Sequence, residues 1–233
     1  MLTLPGARAT PPLYDWGIWQ QQSQTRLINS SQFGSVELNL AGIPAASVNV
    51  PTTGISYPNL FANTFVPAGG VYSPIQNNQY LGVSLLFTYS VQQGTLFGIS
   101  DVASIGFGGL AYRYRLVVTD YLGNEHSLTP YGNDVNPGFP QDDNTFTING
   151  QGELVFGAPQ VGHDSQGQFY YLPAGTVMIE FDSLQSNGGD GIRFYVGSPV
   201  PEPGVATMFG FGVGCALFLR LVHRRRFGKA ATG

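Results

Sequence analysis

The chain is nearly free of cysteine: among 233 residues there is one, Cys215, close to the C-terminus. The body before it therefore has no disulfide, no thiol nucleophile and no thiolate metal ligand, and must rest on an apolar core. Lysine is absent before Lys229, and charged residues make up only 10% of the chain. From Met1 to Pro199 there are thirteen acidic residues and five arginines, a net charge of −8. Such a body lacks the clustered cations that nucleic acid needs against its phosphates, so no nucleic-acid partner is expected. Its one close basic pair, Arg113 and Arg115, is expected on one exposed strand face. Long capped segments of 3.6-residue period are missing as well, so any helix in the body should be short.

What is present is the pattern of an all-β domain. Short apolar or alternating segments rich in Val, Ile, Phe, Tyr and Thr recur between Gly, Pro and Asn clusters. The expected strands are Ser35–Leu40, Ala46–Val50, Tyr80–Val91, Tyr112–Thr119, Thr145–Ile148, Glu153–Phe156, Thr176–Phe181 and Gly191–Val196. Asn149-Gly150 predicts a tight hairpin between two of them, and Leu122-Gly123-Asn124-Glu125 predicts a second turn. Many short strands in one domain of this size favour a β-sandwich, jelly-roll-like, over residues 10–199. The Pro-, Asn- and Gly-rich segments Pro51–Gly70 and Pro130–Asp142 are expected as loops at the sandwich ends, where they would carry any binding.

Several residues invite chemistry. Asp142 and Asp143 beside Asn144, and Asp190 after Gly189, lie in oxygen-rich turns. Carboxylates and carbonyls of this kind can hold Ca²⁺, but without the spaced pattern of a dedicated loop they more simply cap turns. No other cofactor is expected. Glu180 and Asp182 alternate onto one face of an expected strand, and paired carboxylates are the raw material of glycoside hydrolysis. The run Glu180-Phe181-Asp182-Ser183-Leu184-Gln185 resembles the strand of laminarinase-type jelly-roll glycosidases, but carries Gln185 where that family has its second catalytic glutamate. An amide cannot cycle as acid and base, so the expectation is a protein that is not an enzyme. His126 and His163 have no partner at metal-site spacing and are expected as loop residues. Gly106-Phe107-Gly108-Gly109 is not followed by a helical pattern, which argues against a phosphate cradle. Tyr14, Trp16, Trp19, Phe169, Tyr170 and Tyr171 would stack on sugar rings if exposed; otherwise they pack the core.

The tail is of another kind. Val205 to Leu219 is uncharged, and the apolar character resumes at Leu221 and Val222 after Arg220. A helix over about 205–222 spans roughly 27 Å, and its uncharged part to Leu219 roughly 22 Å, a little short of a ~30 Å hydrocarbon core. Arg224, Arg225 and Arg226 follow, which by the positive-inside rule stay cytoplasmic while everything before Val205 is translocated. Pro201 and Pro203, two residues apart, favour an extended segment ahead of the helix.

Val200-Pro201-Glu202-Pro203, a Gly-rich apolar stretch and a terminal Arg cluster, in that order, resemble the PEP-CTERM sorting signal of bacterial exported proteins. The resemblance covers roughly Val200 to Phe227. It implies recognition by an exosortase, a membrane transpeptidase-like enzyme that cleaves near Pro-Glu-Pro, and a transient anchor in the inner membrane before the body reaches the cell surface or exterior. At the other end, Ala7-Arg8-Ala9 has the small-x-small form of a signal-peptidase site without an apolar stretch before it, so residues 1–9 are expected to be the remnant of a truncated signal peptide. The expected whole is an exported envelope or matrix protein whose β-domain binds polysaccharide; the alternative is an exported carbohydrate-active enzyme on the same scaffold.

Overall fold

The computed structural model describes residues 13–41, 46–51, 54–61, 65–72, 81–105, 111–136, 138, 141–157, 159–185 and 191–200. Residue contacts separate Met1–Pro199 from Val200–Gly233. Of the second unit only Val200 is among the described residues. Among the described residues the chain forms twenty strands and no helix. In chain order they begin with β1 (Tyr14–Asp15), β2 (Ile18–Ser23), β3 (Arg26–Ser31), β4 (Gly34–Ala41), β5 (Ser47–Asn49), β6 (Ile55–Ser56) and β7 (Phe65–Val66). Next come β8 (Gly69–Tyr72), β9 (Leu81–Phe87), β10 (Leu96–Ser100), β11 (Arg113–Asp120), β12 (Glu125–His126), β13 (Thr129–Asp134) and β14 (Asp142–Asn144). The last are β15 (Phe146–Ile148), β16 (Leu154–Phe156), β17 (Asp164–Ser165), β18 (Gly167–Tyr171), β19 (Thr176–Gln185) and β20 (Gly191–Pro199).

Two antiparallel sheets dominate. The first has the order β12-β11-β19-β9-β4-β3-β2; the second runs β13-β18-β10-β20-β8-β5, with β1 also paired to β20. From β8 to β12 and again from β18 to β20 the chain crosses between the sheets at almost every step, remaining in one sheet only from β11 to β12. Alternation along the strands sets which face meets the other sheet. In the first sheet Val36, Leu38, Val83, Leu85, Tyr114, Leu116, Ile179 and Phe181 turn inward and are buried. From the second sheet Val71, Phe97, Ile99, Tyr170, Phe194 and Val196 meet them in the same core. The Phe181 and Phe194 rings join the layers with centroids 5.6 Å apart. Fully burying a large apolar side chain of this kind contributes about 1.5–3 kcal/mol.

The second sheet has a core on its other face too. Trp16, Ile55, Tyr57, Phe61, Val66, Ala68, Leu96, Phe169 and Tyr195 form it, with the β6–β7 hairpin as cover. Of the expected end loop Pro51–Gly70, the described residues 54–61 and 65–68 instead form a lid on a sheet face, because their apolar side chains find that face unpartnered. Pro130–Asp142 differs from expectation as well, since it begins within edge strand β13. Glycine makes the outer core close-fitting. A Cβ on Gly98 would collide with the Phe169 ring, and one on Gly197 would lie 2.6 Å from the Trp16 ring. The aromatic rings lie against bare backbone.

The expected hairpin at Thr145–Phe156 is present, with Phe146 opposite Phe156 and Ile148 opposite Leu154. Its turn differs from expectation. The positive φ falls on Gly152 (78°) and not on Asn149-Gly150. Asn149 acts through its side chain instead, its Oδ1 accepting from the Gln151 and Glu153 backbone N–H groups at 3.0 and 2.9 Å. The second turn forms as expected, with Gly123 at φ 83° joining β11 to β12.

Candidate functional site

The aromatic residues singled out in the sequence divide by exposure. Trp16, Trp19, Phe169 and Tyr170 are buried in the two cores, whereas Tyr171 is 37% exposed and Tyr14 is half-buried. Period-two alternation on β18 explains the split: Tyr170 faces the inner core, while Phe169 and Tyr171 face the outer side. Tyr131 on edge strand β13 joins Tyr14 and Tyr171, and it was not singled out because a Pro-flanked Tyr in a polar stretch reads as loop. Its ring stacks parallel on Phe61, centroids 5.8 Å apart and interplanar angle 2°. It also meets Tyr171 edge-on at 5.3 Å and Tyr14 edge-on at 6.4 Å. Behind them Trp16, Phe61 and Phe169 hold the rings in place. Burial raises the Tyr14 and Tyr131 hydroxyl pKa values above the usual phenol value, with neighbouring tyrosines adding to the effect. Both hydroxyls therefore stay protonated at neutral pH. The result is a partly exposed tyrosine patch on a rigid aromatic base, able to stack on a ring and to donate and accept hydrogen bonds at its edges.

The carboxylates behave differently from one another. Asp142 and Asp143 do not converge on an ion: β14 sends Asp142 inward, 4% exposed, and Asp143 outward to His163 Nδ1 at 2.9 Å. The third suggested Ca²⁺ residue, Asp190, lies outside the described residues. Among the described residues no group of three His, Cys, Asp or Glu side chains could hold a metal ion. Asp142 instead meets Asp101, a buried residue at the end of β10 with φ 60°, a left-handed conformation that Asp tolerates better than most. Burial pushes Asp101 up to about 8; Arg193 opposes that shift, and Asp142, both by its charge and by a hydrogen bond, and Asp164 add to it. Arg193 Nε lies 2.9 Å from Asp101 Oδ2. Close by, Tyr195 Oη is 2.9 Å from both Tyr57 Oη and Ser100 Oγ in the outer core. Sequence reasoning missed this cluster, whose members come from four separate strands and the end of a fifth.

On the first sheet, Glu180 is exposed and Asp182 half-buried, both on the solvent face of β19. Across the register, Arg115 lies opposite Asp182. Arg113 and Arg115 do share that exposed face, as expected. Arg113 donates to Glu153 Oε1 at 2.6 Å, and Arg115 lies 3.7 Å from Glu125. The Arg113 hydrogen bond holds the Glu153 carboxyl below the usual carboxylate range. His126 is set in β12, its Nε2 2.9 Å from Asp120 Oδ2. That bond and those from Asn124 hold Asp120 far below its ordinary value. Pro201, Glu202, Pro203, Arg224, Arg225 and Arg226 lie outside the described residues, as do Gly106–Gly109 and Ala7–Ala9.

No family model matches the chain, and no curated protein matches it. Among solved structures it is similar to the enzymatically active domain of tailspike protein 4 from bacteriophage CBA120, with 16% identity and a TM-score of 0.31. That similarity covers 71% of this chain and 19% of the tailspike chain, so this chain spans about a fifth of that protein's length.

Proposed function

We propose that the chain is an exported bacterial cell-envelope or extracellular-matrix protein whose β-domain binds polysaccharide without cleaving it. The observation that carries the binding reading is the patch of Tyr14, Tyr131 and Tyr171. Apolar ring faces with hydroxyl edges, held on packed aromatics, suit the C–H faces and hydroxyl groups of a sugar. The net charge of −8 before Val200 favours neutral glycans over anionic ones. The crossing order of β8 to β12 and β18 to β20 supports a jelly-roll reading, an architecture that includes lectin domains. For the tail, the order of Val200-Pro201-Glu202-Pro203, the apolar stretch and Arg224–Arg226 supports sorting by an exosortase, with a helix over about 205–222 as the temporary anchor.

Two measurements test the parts separately. An array of neutral and uronate-bearing polysaccharides probed with the purified chain should give binding to neutral glycans that Tyr131→Ala and Tyr171→Ala each weaken about tenfold or more. Undiminished binding by both variants would remove the patch from the proposal, and release of reducing sugar would favour a hydrolase. Mass spectrometry of the mature C-terminus, with and without the sorting enzyme, should find the chain ending near Pro203 only when that enzyme is present. An intact Arg224–Arg226 end in both strains would reject processing.

A further inference from the structure

The outer edge of β11 is shared by two partners. Near its C-terminal end β12 pairs with it, Val118 opposite His126. Further back the β15–β16 turn takes over: Leu116 N donates to Gly152 O at 2.8 Å, and Arg115 forms a bridge with Glu153. Gly152 is required there, since a Cβ would lie 2.6 Å from the Leu116 carbonyl oxygen and φ is already 78°. Between the two partners a cleft of about 210 Å³ remains open. Leu128 and Ile148, partly buried above the core residue Leu116, give it an apolar floor, while His126, Ser127 and Gln151 stand among the polar groups at its rim. The rim carries little free charge, because Glu125 faces Arg115 and His126 faces Asp120.

This cleft lies on the same side of the sandwich as the tyrosine patch. Strands β12 and β13 are the adjoining edges of the two sheets and are joined by Ser127 and Leu128 alone. Ser127 and Tyr131 are four residues apart, at most about 14 Å of extended chain. Resting on the polysaccharide reading above, we infer that the cleft is a second subsite of the same glycan path and takes one neutral sugar residue of a chain whose neighbouring residues stack on Tyr131 and Tyr171. An apolar floor under a ring of hydroxyl, amide and imidazole groups matches a sugar's C–H face and its hydroxyls. The near-neutral rim gives a uronate no counter-charge.

The test is titration calorimetry with xylo-, cello- and malto-oligosaccharides from two to six units. Three proteins are compared: the unmodified chain, Tyr131→Ala, and the double variant Ser127→Ala with Gln151→Ala, whose fold is checked by thermal melting. In the series that binds, Tyr131→Ala should weaken every length about tenfold or more. The double variant should leave disaccharide binding unchanged and weaken the hexasaccharide about thirtyfold, the loss expected of two hydrogen bonds. Amide NMR signals of Gly150 and Gly152 should shift with hexasaccharide and not with disaccharide. A double variant that binds every length as tightly as the unmodified chain, with those amides unmoved, would overturn the cleft inference and leave the tyrosine reading standing. Failure of the unmodified chain to bind any oligosaccharide or its parent polysaccharide would overturn both.

Discussion

The two sheets of the sandwich have the same inner face and opposite outer ones. Strand β2 of the first sheet leaves five of its six residues exposed, and β19 presents Glu180 to water. Strand β10 of the second sheet has all five residues buried. The sequence difference behind this is plain: Gln20, Gln21 and Gln22 on one side, Leu96-Phe97-Gly98-Ile99 on the other. A sheet with one wet face can be held by one core, whereas a sheet between two cores needs a lid and small residues beneath its rings. The candidate binding surface appears where that lid ends, at Tyr14, Tyr131 and Tyr171.

The largest test of the contrast is truncation. Phe169→Ala removes the ring at the centre of the outer core and should cost about 3–5 kcal/mol in urea unfolding. Gln20→Ala on the open face should stay within about 0.5 kcal/mol. Similar losses for both would erase the distinction between the faces.

The second test uses pH. The folded chain holds the Asp101 proton up to about pH 8, whereas an unfolded aspartate releases it near pH 4. Between those values the folded state carries the extra proton. This contribution is therefore complete below about pH 4 and is lost as pH rises towards 8. Asp101→Asn should flatten the profile measured between pH 5 and 7. An unchanged slope in that variant would deny the buried carboxyl its part.

A third test adds volume. Gly197→Ala drives a methyl group into the Trp16 ring and should cost about 1–3 kcal/mol, while Gly150→Ala meets nothing within 4 Å and should be near neutral. The smallest effect belongs to the open sheet's ion pair. Arg26 lies 2.6 Å from Glu37 with its side chain 43% exposed, so Arg26→Ala should change stability by about 0.2–1 kcal/mol and less at high salt. Equal effects at Gly197 and Arg26 would mean that close packing under the rings is not what holds the outer core.

Legibility from sequence followed the same division. Strands β4, β9, β11 and β19 alternate because one face is wet, and all four were expected within a few residues. In β10 and β18 the alternation is hidden, since Phe97 and Leu96 are both apolar yet belong to different cores. The glutamines of β2 hid it in the other direction, because an edge strand over one core needs little more than Trp19 turned inward. Tyr14 and Tyr171 were among the aromatics considered, but their exposure depended on lid residues 54–61 and 65–68. The Asp101 cluster was illegible for a stronger reason: Asp101, Asp142 and Arg193 are brought together by pairing alone.

The bare backbone beneath the rings ties distant positions of the chain together as joint heritable units. Gly98 and Phe169 are 71 positions apart, yet the space refused to one is the space filled by the other. A larger residue at Gly98 is harmful while Phe169 keeps its ring, and shrinking that ring first leaves a cavity, so each substitution alone costs stability and the two positions have to change together. The glycine lane thus limits the routes by which the tyrosine patch can be remodelled.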